Sequence, residues 1–356
     1  MDRRAWGLGP VTAVPRLLQP NLVHHFYAGG ARIAELRGLP PVERCPEEWV
    51  GATVTRADSA DVGLARTADG ALVRDLVAAD PLAWVGAAST SGDTGVLLKL
   101  LDAAQRLPVH AHPDRAFAAR HLACPYGKTE AWLVLDADDG AVVYLGWRSD
   151  VDPVELAQRR DAQDSDWMLE QLHRIPVRPG DGFLVPAGTP HAIGAGVFVA
   201  EVQEPTDFSL LLEWSVTTAT RDESHLGLGF DLAMDAVSTT ALGTEALAGF
   251  TVHHDLTTRT GAAVPLLPEA GDPYFRLDLL APPPGQETVL PAGFAVLVVL
   301  SGTGVIEGTD AVPVGGGQSF VVPAAFGSWR LVGDARVLAA RPGEGWRGSP
   351  DGRIVG

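Results

Sequence analysis

Cysteine and lysine are nearly absent from this chain of 356 residues, which has two of each: Cys45 and Cys124, Lys99 and Lys128. Two thiols cannot build the network of bridges that staples small secreted domains, and they predict reduced side chains in a cytoplasmic protein. Positive charge is also scarce, 27 basic against 44 acidic side chains, for a formal net charge of −17. A surface of that sign repels phosphate backbones and anionic lipid, which argues against nucleic-acid and membrane partners and leaves room for a small anion in a locally basic pocket. Long apolar runs are missing too. The longest, Phe294–Leu300, has seven residues, against the roughly 20 needed to span a bilayer. At the N-terminus Asp2, Pro10, Pro15 and Arg16 interrupt any signal-peptide core, so a cytoplasmic location is expected.

What is abundant is glycine, with 40 residues, and proline, with 27, set among many short apolar runs in a chain that is 46% hydrophobic. This rhythm predicts a mostly β protein with a large core. Strands are expected at Val96–Leu101, Ala131–Leu135, Ala141–Leu145, Gly182–Pro186, Val197–Gln203 and Ser209–Trp214. A second group is expected at Tyr274–Leu280, Ala295–Leu300, Gly304–Glu307, Ser319–Val322, Trp329–Val332 and Arg336–Ala339. Helical signals are few: Pro46–Gly51 with proline at its first position, Pro113–His121, Pro153–Arg160 behind Asp152 as N-cap, and Asp166–His173. The phrase VRPGDGFLVPAGTPH at Val177–His191 returns as VPVGGGQSFVVPAAFGSW from Val312, which suggests a duplicated barrel. Only the first copy ends in histidine; the second has Ser328 at that offset. Ala241–Pro268 is poor in strand signals, and a boundary there gives residues 1–240 and 241–356 as two β units.

The densest polar signal is LPVHAHPDRAFAARH, from Leu107. In an extended segment His110 and His112 share a face, because strand side chains alternate with period two. The same alternation puts Lys128, Glu130 and Trp132 of YGKTEAW on one face, and VPAGTPHAIG delivers His191 from a glycine-proline turn. Three imidazoles and one carboxylate, His110, His112, His191 and Glu130, form a donor set for one divalent metal with room for water or substrate.

In their order along the chain, LLKLLDA at Leu97–Ala103, HAHPD at His110–Asp114, YGKTEAW at Tyr126–Trp132, VPAGTPHAIGAG at Val185–Gly196 and AEVQEPTDFSLLLEW at Ala200–Trp214 resemble the class I mannose-6-phosphate isomerases. The resemblance implies a bicupin: two jelly-roll β-barrels, a few helices inserted in and around the first, and a second barrel that is degenerate and metal-free. It places the metal on His112, Glu130, His191 and position 110, where the family usually has glutamine and this chain has His110, a change that favours zinc among Zn²⁺, Mn²⁺, Co²⁺, Ni²⁺ and Fe²⁺. It implies aldose–ketose isomerisation, by default of mannose 6-phosphate to fructose 6-phosphate, with a small sugar or sugar phosphate as the partner. A cupin oxygenase using iron, or a sugar-binding cupin without turnover, would share the histidines. Against the oxygenase, 17 residues separate His112 from Glu130, where common cupins have three or four.

The candidates for proton transfer are Lys128 and Glu201, with Gln203 facing the same way as Glu201. Lys99 is expected to be a core cation paired with a carboxylate; His24, His25 and Arg32 are expected at the pocket mouth, and His121, His225, His253 and His254 elsewhere. One departure bears on the substrate. The family's strand after the turn carries an arginine proposed to serve the active site, and Thr206–Trp214 here has none. Either Arg148 or Arg221 supplies that charge, or the natural sugar has no phosphate.

Overall fold

The computed structural model describes residues 13–42, 44–57, 59–86 and 93–343. Four antiparallel sheets form two β-barrels. In the first, a seven-stranded sheet runs in the order Thr251–His253, Asp181–Val185, Glu130–Ala137, Val197–Gln203, Leu97–Ala103, Glu47–Val50, Leu22–Val23. Facing it are Leu210–Leu211, His110–Ala111, His191–Ile193, Val142–Trp147 and Leu172–Pro176. In the second barrel the order is Arg16–Leu17, Ser319–Val322, Ala295–Ser301, Arg336–Pro342, Phe275–Leu280, Val264–Pro265, opposed by Glu287–Leu290, Trp329–Gly333, Thr303–Glu307 and Ala311–Gly315. This is the mostly β double cupin that the sequence predicts.

The sequence LLKLLDA is buried along its whole length, and the sheet arrangement explains why. Leu98 and Leu100, with Ala131, Leu133, Ala200 and Val202 of neighbouring strands, face outward from the first barrel onto Leu277, Leu279, Val296, Val298 and Leu338 of the second. The alternate residues, Lys99 among them, face into the first barrel. The two large sheets thus share one apolar layer. The second barrel's interior is filled by Leu297, Val299, Ile306, Phe320, Phe326, Trp329 and Leu331, so no polar chamber opens there among the described residues.

Three local expectations change. Pro46–Gly51 is not a helix: Glu47–Val50 is a strand paired with both Leu97–Ala103 and Leu22–Val23, and sheet pairing with burial on both faces overrides the proline signal. The helix expected at Asp166–His173 runs Ser165–Gln171, after which Leu172 enters a strand against Val142–Trp147. The strand expected to reach Trp214 stops at Leu211, because the N–H groups of Leu212 and Glu213 both turn to the Val109 carbonyl (2.9 and 3.1 Å) in a bulge. Asp152 is the N-cap that the sequence predicts: it accepts from the N–H groups of Val154 and Glu155 at the start of Pro153–Asp161. Asp114 does the same for Phe117 at the start of Arg115–His121. Cys45 and Cys124 are both free thiols. No helix among the described residues is long and apolar enough to cross a membrane.

Candidate metal centre and active site

His110 opens a two-residue strand, and its direct cross-strand partners are His191 on one side and Leu211 on the other. Residues in direct register share a face, so His110 and His191 enter the first barrel side by side, and His112 follows by alternation. Each ring is oriented by the backbone. Nδ1 of His110 lies 2.9 Å from the Pro108 carbonyl, that of His112 2.7 Å from Phe208, and that of His191 2.8 Å from Thr189. A carbonyl only accepts, so each Nδ1 carries the proton and each Nε2 presents a lone pair. Those lone pairs converge: His110 Nε2 and His191 Nε2 are 3.0 Å apart, and one ligand atom from each of the three histidines lies within 4.8 Å of the others. Two acceptors that close, with no proton between them, call for a cation. Burial, then the neighbouring His191, holds His110 well below the usual imidazole range. Burial and Lys128 bring His112 down to about 3. Both are neutral rings, the form that binds metal.

Glu130 begins the strand Glu130–Ala137. Its Oε2 is 3.0 Å from His112 Nε2 and 3.0 Å from Lys128 Nζ. Its Oε1 is 3.3 Å from His191 Nε2 and accepts from Trp132 Nε1 at 3.0 Å. Burial would raise this carboxyl, but the Lys128 ammonium beside it outweighs burial and holds Glu130 well below the usual carboxylate range. The four predicted donors are therefore brought together, and their chemistry fits a divalent ion: neutral imidazoles with fixed lone pairs around one carboxylate.

Glu201 stands two residues from Gln203 on the strand between Lys99 and Trp132, its cross-strand partners. Its Oε1 is 3.7 Å from Lys99 Nζ and 4.0 Å from Lys128 Nζ. The only two lysines of the chain meet at this carboxylate. Burial, reinforced by Glu130, pushes Glu201 up to about 7 in spite of both. Gln203 donates from Nε2 to the carbonyls of Glu204 and Thr206, holding the following turn.

Lys99 is the buried, carboxylate-paired cation expected, but it also adjoins the site. Its Nζ is 3.2 Å from Glu47, 3.8 Å from Asp207 and 4.6 Å from the centre of the Trp49 ring. Glu47 takes hydrogen bonds from Tyr27 and from Trp49 Nε1 (2.7 Å) and lies 3.2 Å from His25 Nε2. Sequence reading missed Glu47, Asp207 and Tyr27; the alternation of Glu47 with Trp49 was the available signal, hidden by the helix expectation. His25 thus borders the site, whereas the exposed His24 presents its carbonyl to Arg56. Arg32 does not join it. The guanidinium binds Asp102 (3.2 Å), Asp136 (2.9 Å) and Asp138 (2.5 Å), at the other end of the Lys99 strand. A Cβ at the nearby Gly30 would meet the Asp102 carboxylate at 2.3 Å, so the glycine turn serves that cluster. Arg148 donates to the Glu170 carbonyl and Arg221 lies 3.4 Å from Asp161, both at exposed positions. His121 packs on Phe117, His225 on Phe230, His253 bonds Asp181 and His254 meets Arg259.

No family model matches the chain. Among curated proteins, a mannose-6-phosphate isomerase from Streptococcus mutans is 30% identical over 250 residues, 70% of this chain and 74% of the relative. A probable mannose-6-phosphate isomerase from Bacillus subtilis is 29% identical over 253 residues, 69% of this chain and 75% of the relative. Among solved structures, the mannose 6-phosphate isomerase of Bacillus subtilis shares the fold with a TM-score of 0.71 at 21% identity, over 92% of this chain and 99% of that one.

Proposed function

Because the chain belongs to the mannose-6-phosphate isomerase family and is an aldose–ketose isomerase, we propose that His110, His112, Glu130 and His191 hold one divalent metal, zinc, and that Lys128 and Glu201 handle the protons. The observation that carries this reading is the convergence of three imidazole Nε2 atoms whose Nδ1–H groups are all spent on backbone carbonyls. A divalent ion there would supply a fixed positive charge close to the sugar oxygens on which charge develops. The chain's own residues supply the rest. Isomerisation moves one proton between C1 and C2 and another between O1 and O2. Glu201, poised near neutrality, accepts the carbon-bound proton from one carbon and returns it to the next. Lys128, held between Glu130 and Glu201, presents its ammonium to the oxygens. Trp132 fixes the orientation of Glu130 through its indole N–H.

The names of the relatives make mannose 6-phosphate and fructose 6-phosphate one candidate pair, and free mannose and fructose are the other. The same residues serve both, because the chemistry is confined to C1 and C2. The test is proton exchange followed by NMR: zinc-loaded protein in deuterated water, with mannose and mannose 6-phosphate in separate runs. Ketose formation with deuterium at C1 of the ketose, and at C2 of the aldose re-formed by the reverse reaction, is the expected result. Absence of exchange on both of these sugars and on lyxose would sink the isomerase reading, and zinc-independent turnover would sink the metal's part in it.

A further inference from the structure

The segment Thr206–Trp214 contains no arginine, and Leu211 stands where its middle crosses the site. Leu211 is in direct register with His110, which is in register with His191, so the three side chains form one row on one face of the sheet. Leu210 and Leu212 pack behind that sheet with Val109, Ala111 and Trp147. Leu211, 3% exposed, joins none of the apolar clusters of the described residues. It is an apolar wall of a polar chamber, immediately beside a metal-site imidazole.

The charges around that chamber are already matched. Four carboxylates, Glu47, Glu130, Glu201 and Asp207, face two ammoniums, Lys99 and Lys128, and each ammonium sits against at least two of them. With Glu201 in the ionised form that accepts the carbon-bound proton, one divalent ion brings the group to balance. A phosphate ester adds close to two negative charges, and a buried anion without its own cation is strongly disfavoured. The arginines flanking the Leu211 strand are committed elsewhere. Arg106 forks onto Glu213 with two contacts of 2.7 Å, and Arg115 holds Glu204 at 2.6 Å.

Resting on the isomerase reading above, we propose that the aldose turned over by this protein carries no phosphate, and that the far end of an uncharged hexose or pentose lies against Leu211. The test compares kcat/KM of the zinc-loaded full chain for mannose, lyxose and mannose 6-phosphate, with binding followed independently by tryptophan fluorescence. One of the free sugars is expected to exceed mannose 6-phosphate at least tenfold in kcat/KM and to bind more tightly. Leu211→Arg should raise kcat/KM for mannose 6-phosphate at least tenfold, whereas Leu211→Met, which adds no charge, should not. If the arginine variant does not fold, the wild-type comparison still decides. A kcat/KM for mannose 6-phosphate equal to or above that of both free sugars overturns the proposal and leaves isomerisation standing. No exchange at C2 of any of the three overturns the isomerase reading and this proposal with it.

Discussion

Glu201 gathers the chemistry of the site into one side chain: buried, flanked by both lysines and set opposite Trp132. Replacing it with glutamine keeps the shape and removes the exchangeable proton. Glu201→Gln should lower kcat by about 10²–10⁴-fold while zinc content by atomic emission stays at the wild-type level. Glu130→Ala should do the reverse first, losing the metal, because it removes a carboxylate lying within 3.3 Å of both His112 and His191; zinc retained one per chain would exclude Glu130 as a ligand. At this scale the donor set was legible because period-two alternation carries HxH and KxE onto one face whatever the surrounding fold. Glu47 was illegible for a physical reason. Its neighbour Pro46 suits a helix start as well as a strand start, and only the two flanking strands decide between them.

Among the elements, the short strand Leu210–Leu211 depends on the residue that ends it. Past the bulge, Glu213 accepts from the Val109 N–H (2.9 Å) and from both Nη atoms of Arg106, which ties the Leu211 strand to the His110 strand. Burial would raise the Glu213 carboxyl, but Arg106, Ser165 and the Val109 N–H together hold it below its ordinary value. A carboxyl lowered in the folded state stabilises the fold above its unfolded pKa of about 4.3. That contribution is lost as the pH falls through the lower folded value. Glu213→Gln should therefore reduce Tm at pH 7 and shrink the difference between Tm at pH 7 and at pH 3, measured by calorimetry. Strand rhythm and capped helices were readable because glycine, proline and Asp152 act locally. The early end of this strand was not, because a bulge is set by the partner strand's carbonyl, which no local pattern announces.

In the whole molecule, the apolar layer between the two large sheets is crossed by one buried charge pair. Arg37 reaches from the first helix to Glu48 of the first barrel (3.1 Å) and to the Gly317 carbonyl and Ser319 Oγ (2.9 Å) of the second. Its side chain is 2% exposed, and that of Glu48 1%. Breaking such a pair costs about 3–5 kcal/mol, and burial already raises Glu48 toward protonation, which relieves part of the loss. Arg37→Met should therefore destabilise the protein by about 3 kcal/mol in urea denaturation; a change near zero would deny the pair its role. The duplication was legible in the repeated glycine-proline phrase, whereas the way the two barrels share strands was not. Arg16–Leu17, near the start of the chain, completes a sheet of the second barrel by pairing with Phe320 and Val321, some 300 residues later. Thr251–His253, within the segment expected to divide the two units, completes a sheet of the first. On the ribosome this sets a clock. At the usual rates of synthesis the leading strand waits roughly 15–60 s for its partner to be made, and Thr251–His253, the last strand of the first barrel, is made well before that partner.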